Sequence, residues 1–195
     1  FAAVLAQSDE DKARLESLGA KDVLVTGSVK FDIVPDASQI AAAKAWLSVL
    51  SRPVVLLAST RDGEEAAFLE SFKKHPALLA ETLVVVVPRH PERFERVVEL
   101  FESAGLKTIR RSTLSTAEDL PADIQIVVGD SMGEMSFYCG LASMTVMGGS
   151  FGPFGSQNVV EPAMAGSPVV VGPSIFNFER IIREGIAAGG MVQAM

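Results

Sequence analysis

The sequence predicts an α/β fold built on a doubly wound parallel sheet, and two observations support this. Short apolar runs rich in β-branched residues recur along the chain, and stretches with helical apolar spacing stand between them. Apolar runs without alternation indicate strands that are buried on both faces by covering helices. We therefore expect a Rossmann-like sheet with a ligand crevice beyond the carboxyl ends of its strands.

Seven short apolar runs are interpreted as strands, because each is bounded by a turn residue or a charge. In chain order they are residues 21–27, 53–59, 82–88, 106–111, 124–130, 144–150 and 167–173. A sheet of these strands, connected by helices, is the simplest way to bury all of them.

Six stretches between the runs are interpreted as crossover helices, and several close on a glycine, as helix C-caps commonly do. They are residues 37–50, 63–74, 91–105, 133–143, 158–166 and 177–185. A further helix is expected near the start of the chain, where Ser8 precedes Asp11 and the pattern closes on Gly19. The polar, turn-rich stretch 112–123 is expected to be a surface loop.

Composition narrows the functional classes. With 48% hydrophobic and 21% charged residues, the chain is globular, not disordered. Its net charge of −7 argues against a nucleic-acid partner, which requires a basic face. The longest apolar run is too short to cross a bilayer, so we expect this piece to be soluble. A lone Cys139 excludes a disulfide framework and is expected to be a buried small hydrophobe.

The third predicted strand ends in a candidate phosphate contact. Pro88 ends the strand and Pro91 suits the first turn of the next helix, which leaves Arg89 and His90 at the corner facing the crevice. A guanidinium there can bind a phosphate through two hydrogen bonds. The alternative for Arg89 is an ion pair with a surface carboxylate. His90 has no Cys or second His nearby, so we expect a structural role and no metal.

A second candidate segment, Met132, Gly133 and Glu134, follows the fifth predicted strand. The next helix begins near Gly133 and offers its free N–H groups to an anion or a base edge. Met132 can pack on a planar ring. The alternative is an ordinary capped turn with Asp130 or Ser131 as the N-cap.

The stretch GGSFGPFGSQNVVEP, residues 148–162, follows the sixth predicted strand. Its glycines let backbone N–H groups approach a ligand closely, and a helix starting near Asn158 directs its positive end to the same point. Glu161, in the first turn of that helix, can accept hydrogen bonds from the hydroxyls of a ribose. The alternative is that the glycines only allow the chain to turn and that the loop binds no ligand. The candidate residues here are Gly148, Gly149, Ser150, Asn158, Val159, Val160 and Glu161.

This layout suits a nucleotide, with phosphate near the glycines and sugar near Glu161. It is neither the dinucleotide fingerprint nor a phosphate loop ending in Gly-Lys-Ser/Thr, and it follows a late strand. Hydride transfer and ATP hydrolysis are therefore disfavoured.

At these residues the sequence resembles the 3-deoxy-D-manno-octulosonic acid (Kdo) transferases of lipopolysaccharide synthesis. The matching segments occur in the family's order and cover nearly the whole chain: VTGSVKFD, ASTRDGEE, VPRHPERF, GDSMGEM, the GGS…NVVEP block and GPSIFNF. Two positions differ from the family pattern. Arg61 stands where members commonly carry His, and Ser156 stands where a second glycine is common.

The resemblance implies the carboxy-terminal, nucleotide-binding half of a GT-B glycosyltransferase, with CMP-Kdo as its donor substrate and no cofactor or metal. It implies that Pro88 and Arg89 hold the CMP, that residues 132–134 form a second contact, and that residues 158–161 form the ribose and phosphate corner. Residues 1–20 would then be a linker or the edge of a missing amino-terminal domain. Residues 21–195 would be the nucleotide-sugar-binding domain without its final helix.

The implied reaction is an inverting transfer of Kdo to the lipid A precursor, with Arg89 stabilising the departing phosphate. The resemblance implies that a general base, the acceptor site and the membrane attachment belong to the missing half, at the cytoplasmic face of the bacterial inner membrane. The isolated piece is therefore expected to be inactive. The alternatives are a GT-B enzyme that uses a UDP-sugar, either a glycosyltransferase or an epimerase, and a non-catalytic nucleotide-binding module.

Overall fold

The computed structural model describes residues 2–28 and 32–195, and the chain divides into two compact units, Phe1–Ile33 and Val34–Met195. Part of the VTGSVKFD segment, residues 29–31, lies outside the described residues. The boundary between the units falls later than the one predicted at residue 20. The assignment of the first segment to a missing domain stays a prediction.

The first unit contains a small parallel sheet and one helix. Strand β1, Val4–Ala6, pairs in parallel with β2, Val23–Val25, and α1, Asp9–Ser17, connects them. The predicted capped helix is confirmed, because the Ser8 side chain accepts a hydrogen bond from the N–H of Asp11 at 3.1 Å. Strand β1 was not predicted.

The second unit is built on a parallel sheet of seven strands, which confirms the predicted α/β class. Its spatial order is β5-β6-β4-β3-β7-β8-β9, and every neighbouring pair is parallel. The strands are β3 Val54–Thr60, β4 Leu83–Pro88, β5 Thr108–Arg110, β6 Ile126–Val128, β7 Met144–Met147, β8 Val169–Val171 and β9 Met191–Gln193. Each except β9 falls within or next to a predicted run. The predicted run 21–27 is not part of this sheet, because it forms β2 of the small sheet, where Leu24 and Val25 are exposed; its predicted place in the main sheet is therefore wrong.

The helices of this unit are mostly those predicted from the sequence. They are α2 Ala37–Leu47, α3 Glu64–Lys74, α4 Pro76–Glu81, α5 Phe94–Ser103, α6 Met135–Leu141, α7 Val160–Met164 and α8 Glu179–Ala187. Helix α4 was not predicted separately; it begins at a proline, whose missing N–H is tolerated in a first turn. The predicted surface loop 112–123 is only partly exposed, because Leu114 and Ala117 enter the core.

The central strand β3 shows why its sequence is apolar without alternation. Val54, Leu56 and Ala58 belong to one hydrophobic cluster, and Val55 and Leu57 belong to a second cluster on the opposite face. Helices α2 and α6 contribute to the first cluster, and α3 and α5 contribute to the second. Both faces of the sheet are therefore covered, as the doubly wound arrangement requires.

The direction of winding reverses at β3. The chain proceeds from β3 to β4 and on to β5 and β6 at one edge, and then crosses through α6 to β7, which pairs with the other side of β3. In such a sheet the crevice forms at the carboxyl ends of the strands that flank the reversal. Within the described part of the chain, no helix has the length and hydropathy needed to cross a bilayer.

Candidate functional site

A cleft of about 170 Å³ opens at the carboxyl ends of β3, β4 and β6. Half of the predicted site residues line it: Pro88, Arg89, Met132, Gly133, Glu134 and Glu161. The other predicted residues do not line it: Gly148, Gly149, Ser150, Asn158, Val159 and Val160. The volume is below the roughly 300–1,000 Å³ of typical ligand pockets, so a nucleotide-sized ligand would extend beyond the cleft.

Arg89 presents a side chain with no partner to the cleft. Its backbone N–H donates to the Thr60 carbonyl at 3.0 Å, and Pro88, which precedes it, is buried. The guanidinium is exposed, and it forms neither an ion pair nor a hydrogen bond with any residue in the ranges 2–28 and 32–195. The surface ion pair considered as an alternative is therefore not formed, and the charge is available to an anionic ligand.

Next to Arg89, the side chains of Arg61 and His90 contact each other. Arg61 Nη1 lies 3.0 Å from His90 Nε2, and the Arg61 guanidinium lies 4.6 Å from the centre of the Phe154 ring. Since a guanidinium has no acceptor, the ring nitrogen of His90 accepts this hydrogen bond. The sequence did not indicate this arrangement, because Phe154 lies in the glycine-rich loop, far from Arg61 along the chain.

The segment that contains Met132 turns into helix α6. The helix begins at Met135 with Glu134 as its N-cap residue, so the alternative with Asp130 or Ser131 in that position is wrong. Asp130 instead accepts two hydrogen bonds from Ser112. Met132 is 65% exposed, and its thioether lies at the cleft, where it can pack on a planar base.

Glu134 lines the cleft and is held by a polar network. Its carboxylate pairs with Arg111 at 3.3 Å, and it accepts hydrogen bonds from Ser131 and from the Tyr138 hydroxyl. The Tyr138 hydroxyl is a donor at neutral pH, as tyrosine ordinarily is, and burial raises its pKa further. These contacts fix the orientation of Glu134 and satisfy much of its capacity to accept hydrogen bonds.

Arg111 anchors this network and was not predicted from the sequence. Its guanidinium lies 4.9 Å from the ring centres of both Trp46 and Phe137, and it donates to the Leu114 carbonyl at 2.7 Å. A guanidinium within about 6 Å of an aromatic ring centre is favourably placed. The sequence contained no signal for it beyond its position after a predicted strand.

Glu161 lies in the first turn of α7, as predicted, and its carboxylate is oriented by a serine. Ser136 Oγ donates to Glu161 Oε1 at 3.1 Å and accepts from the Asp36 N–H at 3.2 Å. The other carboxylate oxygen makes no hydrogen bond within the described residues, so it can accept one from a ligand hydroxyl. Asn158 has a local role, because its Oδ1 accepts the N–H of Val160 at 3.1 Å.

The glycine-rich loop binds an anion that belongs to the chain itself. The N–H groups of Gly149 and Phe151 donate to the Glu64 carboxylate at 2.8 and 3.0 Å, and Gly148 donates to the Ala58 carbonyl at 2.7 Å. Glu64 is buried, with 4% of its surface exposed. The N–H groups of Gly148 and Gly149 are thus used internally, which corrects the expectation that they face a ligand. Their assignment to the donor site stays a prediction.

Close packing against backbone and side chains explains the glycines in this loop. A Cβ at Gly148 would lie 2.4 Å from the Ser59 carbonyl oxygen, and one at Gly155 would lie 2.5 Å from the Phe176 ring. Ser156 has a φ of 73°, a conformation that glycine adopts more readily. Ser150 is fully buried and bonds to the Met147 carbonyl and the Gly172 N–H.

A second buried carboxylate, Glu65, stabilises the region that follows β3. It forms a two-point ion pair with Arg93, with distances of 3.0 and 2.7 Å, and also accepts from the Thr60 hydroxyl. Neither Glu64 nor Glu65 is therefore available to a ligand. Among the residues that the structure describes, no group of three His, Cys, Asp or Glu side chains is arranged to hold a metal ion.

Several known proteins that are similar to this chain share one description. The chain is 44% identical over 194 residues to a 3-deoxy-D-manno-octulosonic acid transferase of Bordetella pertussis, and 34% identical over 198 residues to that of Haemophilus influenzae. These matches cover 98% and 97% of this chain and 45% of each relative. The chain thus spans less than half the length of these two transferases. No protein-family profile matches the sequence.

A solved structure has the same fold. It is the C-terminal CMP-Kdo binding domain of WaaA from Acinetobacter baumannii, which is 35% identical with a TM-score of 0.73. The match covers 82% of this chain and 83% of that domain. The similarity therefore extends over most of both chains.

Proposed function

The chain belongs to the family of the Kdo transferases, as a counterpart of their CMP-Kdo binding C-terminal domain, and on this premise we propose that it binds the donor substrate CMP-Kdo. The full protein would be a GT-B glycosyltransferase that moves Kdo to a lipid A precursor in lipopolysaccharide synthesis. One observation carries the proposal. Three segments that are distant in sequence meet at one cleft beside Arg89, a cation without a partner among the described residues.

Each group at the cleft has a defined part in this proposal. Arg89 binds the phosphate of CMP, the free oxygen of Glu161 accepts a hydrogen bond from the ribose, and Met132 packs on the cytosine. When the bond to Kdo breaks, the phosphate gains negative charge. Arg89 therefore stabilises the transition state more strongly than the ground state, which accelerates the reaction.

We propose that the remainder of a longer protein completes the enzyme. The transferases of Bordetella pertussis and Haemophilus influenzae are more than twice as long as the region this chain matches, which supports this proposal. That remainder would supply the general base, the acceptor site and the attachment to the cytoplasmic face of the bacterial inner membrane. The 195-residue chain alone would bind the donor without transferring Kdo. Because Arg89 supplies the positive charge that the leaving phosphate requires, the proposal invokes no cofactor or metal.

Calorimetric titration with CMP, and with UMP as the matched control, tests the proposal. We expect CMP to bind more tightly than UMP. Preferential binding of UMP would favour the alternative enzyme that uses a UDP-sugar, and binding of neither nucleotide would contradict the proposed donor site. A second experiment joins the chain to the amino-terminal half of a relative and measures Kdo transfer. A donor-binding half should support transfer in this fusion, whereas a non-catalytic module should not.

A further inference from the structure

The arginines of this chain differ in their partners. Most of them pair with a carboxylate: Arg14, Arg93, Arg96, Arg110, Arg111, Arg180 and Arg183. Arg52 donates to the backbone carbonyls of Thr82 and Ile124. Within residues 2–28 and 32–195, only the side chains of Arg61 and Arg89 contact neither a carboxylate nor a carbonyl oxygen.

These two arginines lie side by side at the crevice. Arg61 follows Thr60 at the end of β3, and Arg89 follows Pro88 at the end of β4, and Thr60 and Pro88 are paired in the register of the two strands. Neighbouring strands are about 4.8 Å apart, so the two side chains start from adjacent backbone positions. The sheet therefore places two arginines without a carboxylate partner among the described residues at neighbouring backbone positions of its carboxyl edge.

Arg61 is held in place by neutral groups. It is half-buried between the His90 ring nitrogen, 3.0 Å from Nη1, and the face of the Phe154 ring. Both contacts restrict the guanidinium, but neither neutralises its charge. A partly buried cation that is oriented but not compensated has the character of a binding group for an anion.

We propose that Arg61 binds the carboxylate of the donor sugar while Arg89 binds the phosphate; this inference rests on the proposed function. In an ulosonic acid the carboxylate is bonded directly to the anomeric carbon, and in the nucleotide-linked donor the same carbon carries the phosphate. The donor therefore presents two anionic groups next to each other. The cleft is too small for the whole donor, so the sugar would extend beyond it. Arg61 does not line the cleft, but it contacts His90, which directly follows Arg89 in the chain.

This arrangement would select an acidic sugar. A neutral sugar on the same nucleotide would leave the Arg61 charge without an anion, and so would gain less from binding. CMP alone would not contact Arg61, since it lacks the carboxylate. The contribution of Arg61 should therefore be visible only in the difference between CMP-Kdo and CMP.

Calorimetric titration of three variants with freshly prepared CMP-Kdo and with CMP tests the inference. We expect Arg61→Gln to weaken CMP-Kdo binding by about tenfold or more, the usual effect of removing a charged hydrogen-bond donor, and to leave CMP binding unchanged. Arg61→Lys should retain part of the affinity for CMP-Kdo, because it keeps the charge. Arg96→Gln is the matched control, since Arg96 is exposed and paired with Asp62, and should bind both ligands like the wild type.

The outcomes separate this inference from the proposed function. If wild-type protein binds CMP but Arg61→Gln weakens CMP and CMP-Kdo equally, Arg61 contacts the nucleotide and the inference is wrong. If Arg61→Gln binds both ligands like the wild type, the carboxylate is bound elsewhere and the inference is also wrong. If wild-type protein binds neither ligand, the proposed donor site itself fails.

Discussion

Glu64 and Gly149 are joined by a hydrogen bond of 2.8 Å although 85 positions separate them in the sequence. Glu64 begins α3 after the central strand, and Gly149 follows β7 on the other side of the reversal. The same carboxylate also accepts the N–H groups of Arg61 and Phe151. One buried side chain thus fixes the two loops that follow β3 and β7.

Replacing Glu64 by Gln should destabilise the protein. The amide keeps the shape of the carboxylate but has a single acceptor oxygen, so at least one of three backbone donors would face an NH₂ group. Leaving a buried donor without a partner typically lowers the free energy of unfolding by about 1–3 kcal/mol, and more when a charged partner is lost. Urea denaturation measures the effect. The control is Glu70→Gln, since Glu70 is exposed on the same helix. It should leave the urea midpoint of unfolding unchanged. Equal midpoints for the two variants would argue against the role of Glu64.

Gly148→Ala should disturb the fold, whereas Gly190→Ala should not. Neither glycine has a positive φ, so the comparison isolates steric contact from backbone strain. A Cβ at Gly148 meets the backbone of Ser59 and Thr60, while the nearest atom to a Cβ at Gly190 is 3.9 Å away. We expect Gly148→Ala to lower the free energy of unfolding by about 2 kcal/mol or more, and Gly190→Ala to be neutral or slightly stabilising. Thermal unfolding of the two variants tests this prediction. Similar melting temperatures would contradict the steric explanation.

Arg89→Ala and Glu161→Ala should each weaken CMP binding and leave the fold intact. Both side chains line the cleft and neither belongs to the hydrophobic core. Losing a charged hydrogen-bonding group typically lowers affinity by about tenfold to a hundredfold. Titration with CMP measures the affinity, and circular dichroism checks the fold. A variant that binds CMP like the wild type would remove that residue from the proposed site.

The stability of the protein should fall at alkaline pH because of Cys139. Burial, and to a smaller extent the charge of Glu161, raise the pKa of this thiol in the folded state. Its stabilising contribution is therefore fully present below the unfolded pKa of about 8.5 and is lost as the pH rises, by up to about 1.4 kcal/mol per pH unit. Urea denaturation between pH 8 and 10 should show a smaller decline for Cys139→Ala than for the wild type. Parallel declines would show that Cys139 does not contribute.

The fold was largely predictable because buried strands have a direct signature in sequence. Strand β3 is apolar at every position from Val54 to Ala58, since its two faces belong to different hydrophobic clusters. Strand β9 was missed because its sequence, Met191–Gln193, is short and mostly exposed at the edge of the sheet. Strand β1 is equally short, and only its pairing with β2 makes it a strand.

The candidate site was predictable only in part. Reasoning from strand ends identified Arg89, Met132 and Glu161, because parallel strands bring their carboxyl ends to one edge. It could not identify Ser136 or Glu64, because their roles depend on contacts with residues far along the chain. A glycine-rich sequence also does not reveal whether its N–H groups face a ligand or an internal carboxylate.

The pairing of β3 with β7 has a consequence for how the protein is made. β3 ends at Thr60, but its partner on one side begins only at Met144. During synthesis, this central strand thus keeps one unpaired edge until residues 144–147 have left the ribosome. Truncation before Met144 would make that edge permanent, and an exposed apolar strand edge is a template for aggregation.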